Sequence, residues 1–267
     1  MLFKNKPCEK CGNKYDAALE ECPKCHQKDG NFRNLGVPKN VLFLSIWQQI
    51  LLFLVGFALG GYLLFEIIFI GIFSPQIKDK NTLIFTVICF VYLSIFISSM
   101  IVISPKIKHF LKSFKNWDTY LYGVGYAVTI FAFSTLAGIL SQYVFGASTN
   151  VNQTNINSFV FTNPLLAIFF VGILGPITEE LCYRVGLYSL VRRLNVYAAF
   201  FVTMFVFAII HLDFQKGDLL NELQNLPSYL IAGFIFSLAY EHKGPVASMI
   251  AHIIYNSLVI IITLLGR

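Results

Sequence analysis

Apolar runs dominate the chain from Val41 onward, and their lengths set the first expectation. Runs near 20 residues are long enough for a helix to cross a bilayer. They fall at about 41–73, 82–103, 117–145, 164–190, 196–212, 226–241 and 245–265. The fifth and sixth are short, and the first is long enough to tilt or to include an interfacial segment. No stretch repeats at a solenoid period. Residues 1–40 are polar and cysteine-bearing, and no apolar signal-peptide segment follows the first basic residues. The pattern predicts an all-α polytopic membrane protein of about seven transmembrane helices behind a small head. It divides into a head and linker at 1–40, accessory spans at 41–116 and a membrane core at 117–267.

Composition agrees. The chain is 56% hydrophobic and 13% charged, where soluble domains carry about 25% charged residues. A net charge of +6 could signal nucleic acid, but the bases cluster in the head and in short loops, so no nucleic-acid partner is expected. Loop 104–116 holds Lys106, Lys108, Lys112 and Lys115 and no acid. Arg192, Arg193 and Lys243 follow on the same side. Loop 146–163 is uncharged, and loop 213–225 has one Lys against Asp213, Asp218 and Glu222. The positive-inside rule then predicts a cytoplasmic N-terminus and an extracytoplasmic C-terminus in the cell membrane, with Lys78 and Lys80 dissenting.

The head reads CEKCGNKYDAALEECPKC, with two CxxC pairs, Cys8/Cys11 and Cys22/Cys25, ten residues apart. Each pair can form a tight turn with backbone amides facing the sulfurs, and four thiolates complete a tetrahedral shell. A minimal zinc-ribbon-like head holding structural Zn2+ is expected. A cytosolic location argues against disulfides. His26 stands outside a shell already filled, and Cys89 and Cys182 fall in apolar spans as packing residues. Such a head either binds a cytoplasmic protein partner or folds as a spacer.

Inside the membrane, residues 175–187 read GPITEELCYRVGL. A charge near the centre of a spanning helix costs about 2.5–3.5 kcal/mol on insertion scales, which makes Glu179, Glu180 and Arg184 candidates for function. Glu180 and Arg184 lie four apart on one helical face and can pair. Glu179 is rotated about 100° away and has no partner in its own helix. Gly175 and Pro176 can loosen the helix. Two more spans place Phe207 with His211 and His252 with Asn256 at the same four-residue spacing. Counted at about 1.5 Å per residue from the span ends, all can meet near mid-membrane. A lone Asn or His in a span often only bonds a neighbouring helix, and Glu66 is expected at the interface without a role. These residues alone fit hydrolysis and ion transport equally.

EELCYR fits an EExxxR motif, FAIIH an FxxxH motif and HIIYN an HxxxN motif, in that order. Residues 117–265 thereby resemble the CPBP family, which groups CAAX prenyl endopeptidases with bacteriocin-processing and immunity proteins. The resemblance implies an intramembrane glutamic endopeptidase that needs no cofactor for catalysis. Glu179 would be the general base and His211 would orient the water. His252 and Asn256 would donate to the oxyanion, Glu180 and Arg184 would support the helix, and Phe207 would pack beside the water. One departure concerns packing: Val185 stands where the family often has Gly, and Gly186 follows. A low-GC bacterial composition, rich in Asn, Ile, Lys and Phe, points away from prenylated substrates toward a peptide precursor or a membrane protein. The alternatives are a metalloprotease, although no HExxH is present, a non-catalytic immunity or scaffold protein, and a proton-coupled transporter.

Overall fold

The computed structural model describes residues 5–16, 19, 21–27, 44–57, 63–146, 150–212 and 219–266, with backbone alone at 219–221. The remainder of the head and linker, and Asp213, Lys216 and Asp218 of the loop weighed above, lie outside the described residues.

In the head, β1 (Asn5–Pro7) pairs antiparallel with β2 (Lys14–Asp16), Lys6 opposite Tyr15. Its core is Cys8, Tyr15 and Cys22, with Leu19 and Cys25 packed alongside. So few apolar side chains cannot sustain a fold by burial alone.

The first apolar run differs from the expectation of one span. It forms two helices of 11 residues each, α1 (Ile46–Gly56) and α2 (Leu63–Phe73). Ser45 starts α1 through a reciprocal capping box with Gln48, and α1 stops where Phe57 turns extended. Asp79 caps α3 (Lys80–Ile103) by accepting the Thr82 amide. A short 3-10 turn then leads into α4 (Ile107–Ser113), so the lysine-rich loop is helical. α5 (Trp117–Phe145) ends at Gly146, whose φ of 92° few other residues adopt.

The uncharged loop expected at 146–163 contains a helix, α6 (Val151–Thr162). Asn150 accepts the Gln153 amide at its start, and Glu222 accepts the Val151 amide at 3.1 Å. Those two bonds satisfy N-terminal donors, while Val160 buries the apolar face with Ile156 and Phe159 beside it.

α7 is the continuous helix Pro164–Arg192. Asn195 caps α8 (Val196–Ile209), α9 spans Leu219–Lys243, and Gly244 with Pro245 opens α10 (Pro245–Leu265). Four helical runs are long and apolar enough to cross a membrane: Lys80–Ser113, Trp117–Phe145, Pro164–Arg192 and Pro245–Leu265. Three shorter apolar helices, α1, α2 and α8, accompany them. The chain is a multi-pass membrane protein.

The helices pack through small residues, as bundles do in lipid. α5 turns Thr119, Gly123, Ala127, Ser134 and Ser141 inward, while Leu121, Val128, Phe133 and Leu136 stay exposed. Ser134 and Ser228 exchange hydroxyl-to-carbonyl bonds at 3.2 and 2.9 Å, tying α5 to α9. At one end of the bundle, Arg192 bonds Glu241 at 2.9 Å, and Tyr188 donates to the same carboxylate.

Candidate active site

α7 is an α-helix only in part. Ile168–Leu174 and Leu181–Tyr188 adopt the wider π register, and the α-helical segment between them, Gly175–Glu180, carries both glutamates. Pro176 has no N–H for the carbonyl four residues back, and the wide turn lies immediately upstream of it. π turns cluster at functional sites because they re-aim side chains.

The two adjacent glutamates meet different surroundings. Glu180 is fully buried and saturated with donors. Its Oε1 accepts from Arg184 Nη1 at 3.0 Å and pairs with His252 Nδ1 at 2.8 Å, and Ser248 Oγ donates to Oε2. Arg184, also fully buried, donates a second bond to the Gly233 carbonyl at 3.2 Å. Its guanidinium lies between the Phe207 and Phe236 rings, at 4.6 and 5.1 Å from their centres. Any Cβ at Gly233 would meet Met204 O and Phe207 Cδ1 at 3.2 Å, so a bare backbone is what admits this arrangement.

Glu179 faces the other way. Its Oε2 is buried without a hydrogen-bond partner and stands 3.9 Å from His211 Nε2 and 3.9 Å from His252 Nε2. His211 Nδ1 lies 2.6 Å from the Phe207 carbonyl. A carbonyl only accepts, so Nδ1 carries a proton and Nε2 is the ring nitrogen that faces Glu179. Phe236 stacks on His252 at 4.1 Å, and Tyr229 stacks on His211 at 4.9 Å. Asn256 spends one amide hydrogen on the Val171 carbonyl at 3.0 Å, inside the first π segment. A cavity of about 430 Å3 connects Glu179, His211, His252 and Asn256 with the polar residues Asn150, Asn152, Gln153 and Tyr229.

The six intramembrane residues singled out in the sequence therefore lie together. Sequence reasoning missed Ser248, Phe236 and Tyr229. Ser248 precedes His252 by one turn on α10, so helical spacing contained the signal. Phe236 and Tyr229 belong to α9, where no local pattern marks them. Gly186 resolves the packing departure. A Cβ there would meet Phe53 N at 2.9 Å and Gln49 O at 3.2 Å, so α1 approaches at this position, while Val185 is simply buried.

In the head, Cys8 Sγ lies 3.5 Å from Cys25 Sγ and Cys11 Sγ 3.6 Å from Cys22 Sγ, and all four sulfurs fall within 4.8 Å of one another. All four are free thiols. Metal–sulfur bonds of about 2.3 Å in a tetrahedron place sulfurs about 3.8 Å apart, so the quartet fits a metal ion. Burial opposes ionisation of Cys22, but the Cys25 and Lys24 amides outweigh it and bring its pKa down to about 6. The Gln27 amide favours the Cys25 thiolate, yet burial and the three neighbouring cysteines push Cys25 up to about 12.

With the geometry in view, comparison with known proteins identifies the class. Residues 161–258 match the model of the type II CAAX prenyl endopeptidase Rce1-like family. This stretch carries all three motifs. Among curated proteins, the chain is 28% identical over 142 residues to YdiL of Bacillus subtilis (strain 168), named a membrane peptidase. That match covers 52% of this chain and 54% of YdiL. MroQ of Staphylococcus aureus (strain USA300), named a membrane-embedded CAAX protease, is 28% identical over 54% of this chain and 57% of its own. YvdC of Lactococcus lactis subsp. lactis (strain IL1403), a UPF0177 protein, is 25% identical over 72% of this chain and 70% of its own. The matches thus span little more than half the length of YdiL and MroQ. No solved structure matches the chain.

Proposed function

We propose that the chain is an intramembrane glutamic endopeptidase that hydrolyses a peptide precursor or a membrane protein. The observation that carries the reading is the unpartnered Glu179 Oε2, set 3.9 Å from two imidazole nitrogens at the wall of a cavity. Atoms at that separation leave room for a water that touches all three. Glu179 takes a proton from this water as its oxygen bonds to the scissile carbonyl carbon. His211 accepts the other water hydrogen and sets its direction. The carbonyl electrons move onto oxygen, where His252 Nε2–H and the second Asn256 amide hydrogen stabilise them. On collapse the carbonyl re-forms, the C–N bond breaks, and the proton on Glu179 passes to the leaving nitrogen.

Charge and protonation bear on these roles. Glu179 and Glu180 bring two negative charges and Arg184 one positive charge. The oxyanion role requires a proton on Nε2 of His252 in addition to the Nδ1–H that Glu180 accepts. Glu180, Arg184 and Ser248 thus position His252, and Phe207 and Phe236 hold the rings.

The head holds zinc in this reading, since four thiolates at tetrahedral spacing suit that ion best. It faces the cytoplasm in this reading, the side that the positive-inside rule favours for the basic residues of 104–116 and 192–193. In this reading residues 1–40 form the head and linker, 41–116 the accessory spans and 117–267 the catalytic core.

The test compares membrane and secreted peptidomes of cells expressing wild type or Glu179→Gln at matched levels. A precursor that accumulates in the variant, with its product missing, is the expected result. Identical peptidomes, with the biological effect retained by the variant, would leave a non-catalytic scaffold as the better reading.

A further inference from the structure

The sequence leaves open what the head is for, and its contact with the membrane core narrows the answer. Arg193, the first residue beyond α7, is 9% exposed and gathers three elements. Its Nη1 donates to Asp16 Oδ2 of β2 at 2.7 Å, its Nη2 to the Leu44 carbonyl at 2.7 Å, and its Nε to Gln49 Oε1 of α1 at 2.8 Å. One guanidinium therefore joins the head, the chain entering the membrane and the first helix to the end of the motif helix. A lysine could not make this three-way fork.

Each link depends on the one before it. Asp16 directly follows Tyr15, which packs against Cys8 and Cys22. A head with two strands of three residues each and this small core would draw much of its stability from a bound ion. Gln49 lies on α1, and α1 meets α7 with no spare room. Gly186 faces the Phe53 and Gln49 backbone, and a Cβ at Gly56 would strike Cys182 Cβ at 2.5 Å. Cys182 also donates to the Phe53 carbonyl, and it lies within the EELCYR motif. Tight interfaces of this kind shift as units rather than deform gradually.

We propose that the head is a metal-dependent latch on the membrane core: in the metal-bound head, Asp16 clamps Arg193, and Arg193 through Gln49 fixes α1 against the EExxxR helix. This gives the protein a second function, sensing zinc occupancy, beside the chemistry of the cavity. Loss of the ion releases Asp16 and leaves Arg193, still mostly buried, without its carboxylate. α1 then loosens over Cys182. The inference rests on zinc as the ion and does not depend on the protease reading.

The experiment uses the full chain in lipid nanodiscs, with zinc bound or removed by a strong chelator. The readouts are helix unfolding followed by circular dichroism and maleimide labelling of Cys182 resolved by mass spectrometry. In wild type, chelation is expected to lower the unfolding temperature by several degrees and raise the Cys182 labelling rate at least tenfold. Asp16→Asn, which spares all four thiols, is expected to bind one zinc per chain yet show the loosened core whether or not zinc is present. Arg193→Lys should match it. Unchanged Cys182 labelling in chelated wild type, or an equal response to chelation in Asp16→Asn, overturns the latch. Neither readout requires catalysis, so a failed latch and a failed protease reading give separate results.

Discussion

The protein contains two polar clusters, one in the head and one in the membrane, and they are built in opposite ways. The head quartet comes from residues 8–25, two turns with few apolar neighbours, and its spacing fits a metal ion. The membrane cluster draws Glu179, Glu180 and Arg184 from α7, His211 from just after α8, Phe236 from α9, and Ser248 and His252 from α10. Packing and a buried network of hydrogen bonds around Glu180 hold it, while Glu179 Oε2 has no hydrogen-bond partner among the described residues. Water tolerates an incomplete site, whereas a bilayer favours near-complete hydrogen bonding, and the Glu179 oxygen that lacks it lines the cavity beside two imidazoles.

The sharpest way to break this contrast is to treat the two glutamates alike. Glu179→Gln keeps shape and removes the proposed base, so if Glu179 activates water, substrate conversion should fall by about 1,000-fold or more while expression and melting temperature stay near wild type. Glu180→Ala should do the reverse of a clean active-site change. It leaves Arg184 buried without its carboxylate, a loss of about 3–5 kcal/mol, and the protein should fail to accumulate in the membrane. Equal expression of the two variants, measured by quantitative immunoblot of membranes, would contradict the division of labour between them.

Gly186→Ala probes the packing around the motif helix rather than its charges. The added Cβ would stand 2.9 Å from Phe53 N, backbone that cannot swing aside. Overpacking of this kind costs about 1–3 kcal/mol, read as a lower unfolding temperature in detergent. Val185→Ala removes buried methyl groups and creates no clash, so its effect should follow the smaller cavity cost. A larger loss at 185 than at 186 would mean that α1 does not depend on the glycine.

How much of this was legible beforehand follows from the same contrast. The cysteine quartet is a local spacing, and two short turns suffice to bring the sulfurs together. Helical spacing also placed Glu180 with Arg184 and His252 with Asn256, because i and i+4 share a face wherever the helix lies. It did not reveal that Glu180 also bonds His252, 72 residues away. It did not mark Phe236 or Tyr229, which are ordinary aromatics until α9 is packed. The π turns of α7 were invisible too, since register is a matter of backbone bonds. α6 escapes the pattern because its polar faces hide a single buried valine and a pair of caps, while the run at 41–73, expected as a long span that tilts or includes an interfacial segment, holds the two helices α1 and α2.

The smallest effect expected concerns the head alone, where solvent replaces packing. Only thiolates bind the metal, so protons compete with it. Cys25, pushed up to about 12 in the metal-free head, is protonated throughout the neutral range and must release its proton on binding. Cys22, held at about 6, is already ionised above that pH and competes only below it. Affinity should therefore fall by roughly tenfold per pH unit for each competing proton. The slope should steepen by about one proton as pH drops through 6. Competition with a chromophoric chelator between pH 5 and pH 8 on the full chain measures it. A constant slope across pH 6 would show that the Cys25 and Lys24 amides do not favour the Cys22 thiolate.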